Sequence, residues 1–201
     1  SGTILGPSAI SLAASVGSAQ LMCVPRAKVA VLSSGDELVE PSGQESQELP
    51  AGHIYNSNSY GVAAKARELG CEVLRLPVLP DSPREIRRAL REQLEEQDVI
   101  ITTAGVSMGD RDYVISSLRD LGVELSFWTV AMRPGRPLGF GIAPNGKPVL
   151  ALPGNPVSSL VTFEVFCRRA LLKLMGKPHG ESVVKKAQCS EELSKKPGVR
   201  L

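Results

Sequence analysis

The segment "LPGNPVSS" (152–159) has the residue types of an anion-binding helix start. Asn155 can cap the helix, and Pro156 can begin it because the first helical N–H has no partner within the helix. With Gly154 before the cap and no acid in the first two turns, the backbone amides of residues 157–159, Ser158 among them, are expected to point outward at the positive end of the dipole. The alternative is a rigid strand-to-helix turn without a ligand, and the spacing alone leaves both open.

A second loop suited to an anion is "TTAGVSMGDRD" (102–112). Gly105 and Gly109 let the backbone turn back on itself, and Ser107 adds a hydroxyl group, so successive amides can form a concave nest. No GK[ST] sequence follows, which excludes a Walker loop. The pattern predicts a phosphate-binding loop.

Carboxylates follow two of the predicted strands. Asp110 and Asp112 come directly after the glycine loop, and Asp36 and Glu37 lie in "SSGDEL", after the first strand. Paired carboxylates beside a phosphate suit Mg²⁺, and such a carboxylate can also serve as a general base. The alternatives are a helix N-cap at Asp110 or Asp112 and a solvated turn at the earlier pair.

Two arginines, Arg133 and Arg136, stand in the Pro-Gly frame of "MRPGRP". Planar guanidinium groups bind phosphate and other oxyanions through paired hydrogen bonds. Solvated surface arginines are the alternative, so the pattern alone indicates a candidate binding pair.

The elements that would position these residues alternate between strands and helices of ten or more residues. This order predicts an α/β protein with three layers, α/β/α, and a mostly parallel sheet with an antiparallel edge. Ligands of such sheets bind at the carboxyl ends of the strands, where all four polar segments fall. The predicted strands cover 28–34, 71–79, 98–105, 124–135, 137–144 and 147–152, and the predicted helices 56–70, with Ser57 or Asn58 as N-cap, 81–97, 112–122 and 156–176.

The chain divides into three predicted parts. Residues 21–177 are expected to form the α/β/α domain. Residues 1–20 hold one short amphipathic stretch and read as the tail of a preceding, truncated segment. Residues 178–201 are polar and lysine-rich, too few for a core of their own, and are expected to begin a truncated C-terminal β domain.

Composition limits the classes of partner. With 201 residues, a net charge of +2 and 4% aromatic residues, the chain lacks the basic surface and stacking platform of a nucleic-acid-binding protein. No apolar run approaches a membrane span and no secretory leader opens the sequence, so we expect a cytoplasmic protein. Its scattered cysteines are expected to be reduced and mostly buried, with Cys23 and Cys71 in the core.

Taken together, the motifs resemble the molybdopterin molybdotransferase family, MoeA, whose domain is Mog-like. The resemblance covers about residues 20–176 and favours MoeA over the free-standing adenylyltransferase MogA, which shares the fold. The segments that carry it are "VAVLSSGDELVEPSGQ", "GHIYNSNSYGVAAKARELG", "DVIITTAGVSMGDRDYV", "FWTVAMRPGRPLGFG" and "LALPGNPVSSLVTFEVF".

The resemblance implies that molybdate is inserted into adenylated molybdopterin, with Mg²⁺-dependent hydrolysis and release of AMP. It implies a homo-oligomer and a MogA-type adenylyltransferase as a partner. It places catalytic carboxylates at Asp112 and Asp36 and metal ligands at Asp110, Asp112 and Glu37. The remaining family positions, implied to bind the pterin nucleotide, are Gly105, Ser107, Gly109, Arg133, Arg136, Gly154, Asn155, Pro156 and Ser158.

Two departures from the family pattern are Ala104, where glycine is usual, and Ser34, where threonine is usual. Two other functions remain open from the sequence: adenylyl transfer to molybdopterin, as in MogA, and a non-catalytic scaffold or interaction domain, which the related protein gephyrin shows to be possible on this fold.

Overall fold

The computed structural model describes residues 2–42, 49–103, 113–177, 186, 188 and 190–192. Helices and strands alternate along this part of the chain. The strands are β1 Lys28–Leu32, β2 Leu38–Val39, β3 Ile54–Tyr55, β4 Glu72–Arg75, β5 Val99–Thr102, β6 Glu124–Thr129, β7 Pro137–Ile142 and β8 Pro148–Ala151. The helices are α1 Pro7–Ser15, α2 Ser57–Glu68, α3 Pro83–Glu96, α4 Tyr113–Asp120, α5 Pro156–Thr162 and α6 Arg168–Leu174, with a π-helical turn, Phe163–Cys167, between the last two.

Six strands form the main sheet in the order β4-β1-β5-β8-β7-β6. The first four of these are parallel, and β7 runs antiparallel to both of its neighbours. β6 therefore points the same way as β1, β5 and β8. The predicted mostly parallel sheet is confirmed, with its antiparallel pairing on the β8 side.

The central strands are buried on both faces because helices cover both sides of the sheet. In β1, Val29 and Val31 pack into a core with α2 and the final helix, whereas Ala30 and Leu32 pack against α3 and α4. All four residues of β5 are buried. The two cores lie on opposite faces of the sheet, so the domain has three layers. Strands that are buried on both faces have continuous apolar sequences.

Helix starts follow local chemistry. The Ser82 side chain accepts a hydrogen bond from the backbone N–H of Glu85 and caps α3, with Pro83 at the first position, as predicted. In α2 the prediction was wrong by one or two residues: the cap position is Asn56, not Ser57 or Asn58, and no side-chain hydrogen bond caps it. The side chain of Asn56 is bonded elsewhere instead.

The chain from Pro156 to Leu174 is helical throughout, as predicted, but Phe163–Cys167 forms a π turn. Phe163 is fully buried there. The "PNGK" hairpin is confirmed, since the N–H of Ala143 donates to the carbonyl of Lys147 and β7 pairs with β8.

Two further features differ from expectation. The pattern of the sequence did not predict β2 and β3, which form a separate two-stranded parallel sheet. Cys23 is exposed rather than part of the core, while Cys71 and Cys167 are buried, and burial raises the pKa of both buried thiols.

The described helices include none with the length and apolar character needed to cross a membrane. Helix α1 has no buried residue. The division into parts at residues 20/21 and 177/178 stays a prediction, because most of the last part lies outside the described residues.

Leu171 and Leu174 give a matched test of the helix-to-sheet core. Leu171 is fully buried and Leu174 is 45% exposed on the same helix. We expect Leu171→Ala to lower the free energy of unfolding by about 3 kcal/mol, because it leaves a cavity, and Leu174→Ala by less than about 1 kcal/mol. Urea denaturation of both variants measures the difference, and equal losses would contradict the packing described here.

Candidate functional site

The carboxyl ends of β1, β5, β8 and β6 lie at one edge of the main sheet, because these strands point the same way. The chain leaves β1 towards β4 on one side and later adds β5 on the other. This reversal creates a crevice between β1 and β5, the place where open α/β sheets bind ligands. The topology therefore brings together at one edge the described residues that directly follow these strands.

The turn after β1 carries the first predicted carboxylates. The Gly35 N–H donates to the carbonyl of Leu79, and Asp36 Oδ1 accepts a hydrogen bond of 3.0 Å from the N–H of Asp81. Asp36 and Glu37 are both exposed. The segment that follows β4 therefore holds this turn through Leu79 and Asp81. The carboxylates of Asp36 and Glu37 face solvent at the crevice.

Buried hydroxyl groups join β1 to β5 beneath this turn. Ser33 Oγ and Thr103 Oγ1 are 2.7 Å apart, and both residues are nearly inaccessible. Thr103 N–H also donates to the carbonyl of Leu32. These bonds fix the base of the crevice where the glycine loop begins.

The helix start after β8 forms as predicted, with one correction. Asn155 Oδ1 accepts a hydrogen bond of 3.1 Å from the N–H of Ser158, and the Asn155 carbonyl accepts from the N–H of Ser159. Two of the three amides expected to face a ligand are therefore used by the cap. Gly154, Asn155 and Pro156 are exposed and Ser158 is half-buried, so the amide of Val157, the Ser158 hydroxyl group and the helix dipole are left to attract an anion.

The arginine loop packs directly against this helix. Gly135 is buried with a φ of +99°, and a Cβ at this position would lie 2.5 Å from Thr162 Cγ2. The Thr162 hydroxyl group in turn donates to the Ser158 carbonyl. Arg133 and Arg136 are exposed, and their guanidinium groups have no ion pair with another described residue.

A contact that the sequence analysis missed joins α2 to the helix start. Asn58 Nδ2 donates a hydrogen bond of 2.6 Å to the carbonyl of Gly154, which is 96 residues away in the chain. No signal in the sequence pairs these two residues, since a polar side chain in a first helical turn has many possible partners.

A charged network beside the crevice was also missed. Glu40 Oε1 accepts from Arg75 Nη1 and Asn56 Nδ2, each at 2.9 Å, and Glu40 Oε2 accepts from the Tyr60 hydroxyl group at 2.9 Å. Arg75 also lies over the Tyr60 ring, 4.0 Å from its centre. The one available signal was an arginine inside the apolar run of β4.

The network changes the acidity of its members. Partial burial raises the pKa of Glu40, but hydrogen bonds from Arg75, Asn56 and Tyr60 outweigh burial and hold this pKa below its ordinary value. The bond to Glu40 raises the pKa of Tyr60. Glu40 is therefore held as a carboxylate that ties β2 to α2 and β4.

The glycine-loop predictions lie outside the described residues: Gly105, Ser107, Gly109, Asp110 and Asp112. Within the described ranges, no three His, Cys, Asp or Glu side chains form a group that could hold a metal ion. Since two of the three predicted metal ligands lie outside those ranges, the metal site stays a prediction.

Comparison with known proteins gives a consistent result. A family model described as "Probable molybdopterin binding domain" matches residues 30–173. A molybdopterin molybdenumtransferase from Haemophilus influenzae is 39% identical over 175 residues, covering 87% of this chain and 42% of the relative. The chain thus spans less than half the length of this curated relative.

Solved structures agree on the fold. A molybdopterin biosynthesis MoeA protein from Pyrococcus horikoshii superposes with a TM-score of 0.74 at 31% identity, covering 88% of this chain and 42% of that one. The molybdopterin biosynthesis enzyme MoaB from Thermus thermophilus superposes with a TM-score of 0.51 at 22% identity, covering 76% of this chain and 98% of that one, a likeness of fold alone. The predicted three-layer α/β/α, Mog-like fold is confirmed.

Glu40→Gln tests the charged network through pH. The lowered pKa means that Glu40 stabilises the fold above its unfolded value of 4.5, and that this stabilisation is lost as pH falls through the folded value. At pH 7 we expect Glu40→Gln to lower the free energy of unfolding by about 1 kcal/mol, since the group is partly exposed. The difference from wild type should shrink towards pH 3 in urea titrations.

Glu92→Gln is the control, because Glu92 is exposed on α3 and has no ion pair with another described residue. If Glu40→Gln lowers the free energy of unfolding equally at pH 7 and pH 3, the charge of Glu40 does not contribute to the stability of the network.

Proposed function

The chain belongs to the molybdopterin-binding-domain family, and on that premise we propose that it supplies the molybdopterin-binding domain of a molybdotransferase. The proposed reaction inserts molybdate into adenylated molybdopterin, with hydrolysis of the adenylate and release of AMP. The observation that carries the proposal is the convergence of the "SSGDEL", "MRPGRP" and "LPGNPVSS" segments at one sheet edge.

The arrangement suits a long anion rather than a single phosphate. β1 and β6 are four strand steps apart in the sheet, which corresponds to roughly 19 Å at the usual strand spacing. Adenylated molybdopterin has two ring systems joined through phosphates, and it would extend along such an edge. Acidic groups would face one part of it, and the guanidinium groups of Arg133 and Arg136 another.

Each part of the edge has a proposed role. Arg133, Arg136 and the exposed helix start at Gly154, Asn155, Pro156 and Ser158 would bind phosphate oxygens. Gly105, Ser107 and Gly109 would supply the second phosphate nest. Asp36, oriented by its bond from the Asp81 N–H, and Asp112 would accept a proton from the attacking oxygen.

One exposed carboxylate among the described residues supports the proposal of a Mg²⁺ site. Glu37 is an exposed carboxylate next to Asp36, and oxygen donors of this kind are the ligands that Mg²⁺ prefers. We propose Glu37, Asp110 and Asp112 as its ligands. The ion would neutralise charge on the phosphate oxygens during cleavage.

The proposal extends to the setting of the reaction. A cytoplasmic homo-oligomer would receive adenylated molybdopterin from a MogA-type adenylyltransferase and return the metallated cofactor and AMP. Family membership and the names of the relatives support a place in molybdenum cofactor biosynthesis.

Calorimetry with AMP and Mg²⁺ tests ligand binding directly. We expect Mg²⁺-dependent binding, weakened about tenfold by Arg133→Ala or Arg136→Ala, because each removes a charge-assisted hydrogen bond. Arg119→Ala is the matched control, since Arg119 is equally exposed but lies in the last turn of α4, in the opposite helix layer. Absence of Mg²⁺-dependent binding, or equal weakening by all three variants, would count against the proposal.

Gly135→Ala tests whether the arginine loop must pack on the helix start. Gly135 and Gly146 both have positive φ, so alanine is strained at either, by about 1 kcal/mol. Only at Gly135 would the new methyl group collide with Thr162 and Met132, whereas Gly146 faces open space. We expect Gly135→Ala to weaken AMP binding several-fold and Gly146→Ala to leave it unchanged in the same titration.

The other two functions make different predictions for the same protein. An adenylyltransferase would consume ATP when given molybdopterin, which a molybdotransferase does not. An interaction domain would bind a peptide with equal affinity before and after Asp112→Ala. Either result would replace the proposed reaction.

A further inference from the structure

A distant side chain bonds to the exposed turn at Gly154. A Cβ at Gly154 would have no described residue within 4 Å, while the preceding Pro153 is buried. The Gly154 carbonyl accepts the 2.6 Å hydrogen bond from Asn58 Nδ2. Asn58 is half-buried and lies in the first turn of α2.

Helix α2 is itself tied to the acidic turn. The N–H of Ile54 donates to the carbonyl of Glu37, and the N–H of Asn56 donates to that of Val39. The Asn56 side chain also donates to Glu40, which Arg75 holds from β4. A continuous set of hydrogen bonds thus runs from the Asp36–Glu37 turn through β3 and the start of α2 to Gly154.

We propose that Asn58 is a positioning residue that sets the distance between the acidic turn and the helix start at Gly154. The side-chain amide of Asn58 donates to the Gly154 carbonyl, so Asn58 would affect ligand binding by holding the turn in place. The inference rests on the proposed function for its ligand, but the geometry of the turn can be tested without one.

The binding test compares variants of the 201-residue chain in AMP and Mg²⁺ titrations. Asn58→Ala should raise the dissociation constant about fivefold, the usual effect of losing one neutral hydrogen bond. Asn58→Gln keeps the amide donor and should restore part of the affinity. Ser57→Ala is the control, since Ser57 is exposed in the same helical turn, and it should bind as wild type does.

Amide hydrogen exchange gives a readout independent of the ligand. The N–H of Ser158 is protected by Asn155, and we expect Asn58→Ala to speed its exchange about fivefold because the turn is loosened. The melting temperature should stay close to that of Ser57→Ala, which separates a local effect from general destabilisation.

The AMP titration and the hydrogen exchange together separate the proposed function from the positioning role of Asn58. If wild type does not bind AMP but Asn58→Ala speeds exchange at Ser158, the proposed function fails and the positioning role stands. If wild type binds AMP and Asn58→Ala matches Ser57→Ala in affinity and exchange, the positioning role is overturned. Equal loss of melting temperature and of protection throughout the chain would also overturn it.

Discussion

The rest of the structure depends on the burial of the central parallel strands on both faces. β5 has no exposed residue, and β1 sends alternate side chains into two separate cores. Such strands need helices on both sides, and each helix must cross over to return the chain in parallel. Every crossover leaves a loop at the same carboxyl edge. The gathering of loops at one edge is therefore a consequence of how the apolar residues are buried.

Burial places the loops together but does not set the distances between them. Polar contacts set the distances between the loops. The Ser33–Thr103 pair joins the base of the crevice, and the Glu40–Arg75 pair holds the small β2–β3 sheet against α2 and β4. Because Glu40 and Arg75 are partly buried, each constrains the other more than an exposed ion pair would. The edge is thus held by polar contacts next to β1, and the side chains of Arg133 and Arg136 after β6 are exposed.

Most of the fold followed from the sequence because its signals are local. The apolar runs of β1 and β5 and the cap at Ser82 each depend on a few neighbouring residues. The features that the sequence did not predict have a different cause. β2 and β3 have two residues each, too few to show a hydrophobic period. The side chain of Asn56 binds Glu40 instead of capping the helix. The helix start was predicted, yet its own cap uses amides that were expected to be free.

The sequence by itself determined the layers, the order of elements and the identity of the polar groups at the carboxyl edge, because hydrophobic periodicity and turn residues act over short stretches of chain. Only the tertiary structure decided which of those groups touch. The bond from Asn58 to Gly154 and the packing of Gly135 on Thr162 join residues far apart in the chain. Such contacts arise from the way helices settle on the sheet, and no local pattern encodes their partners.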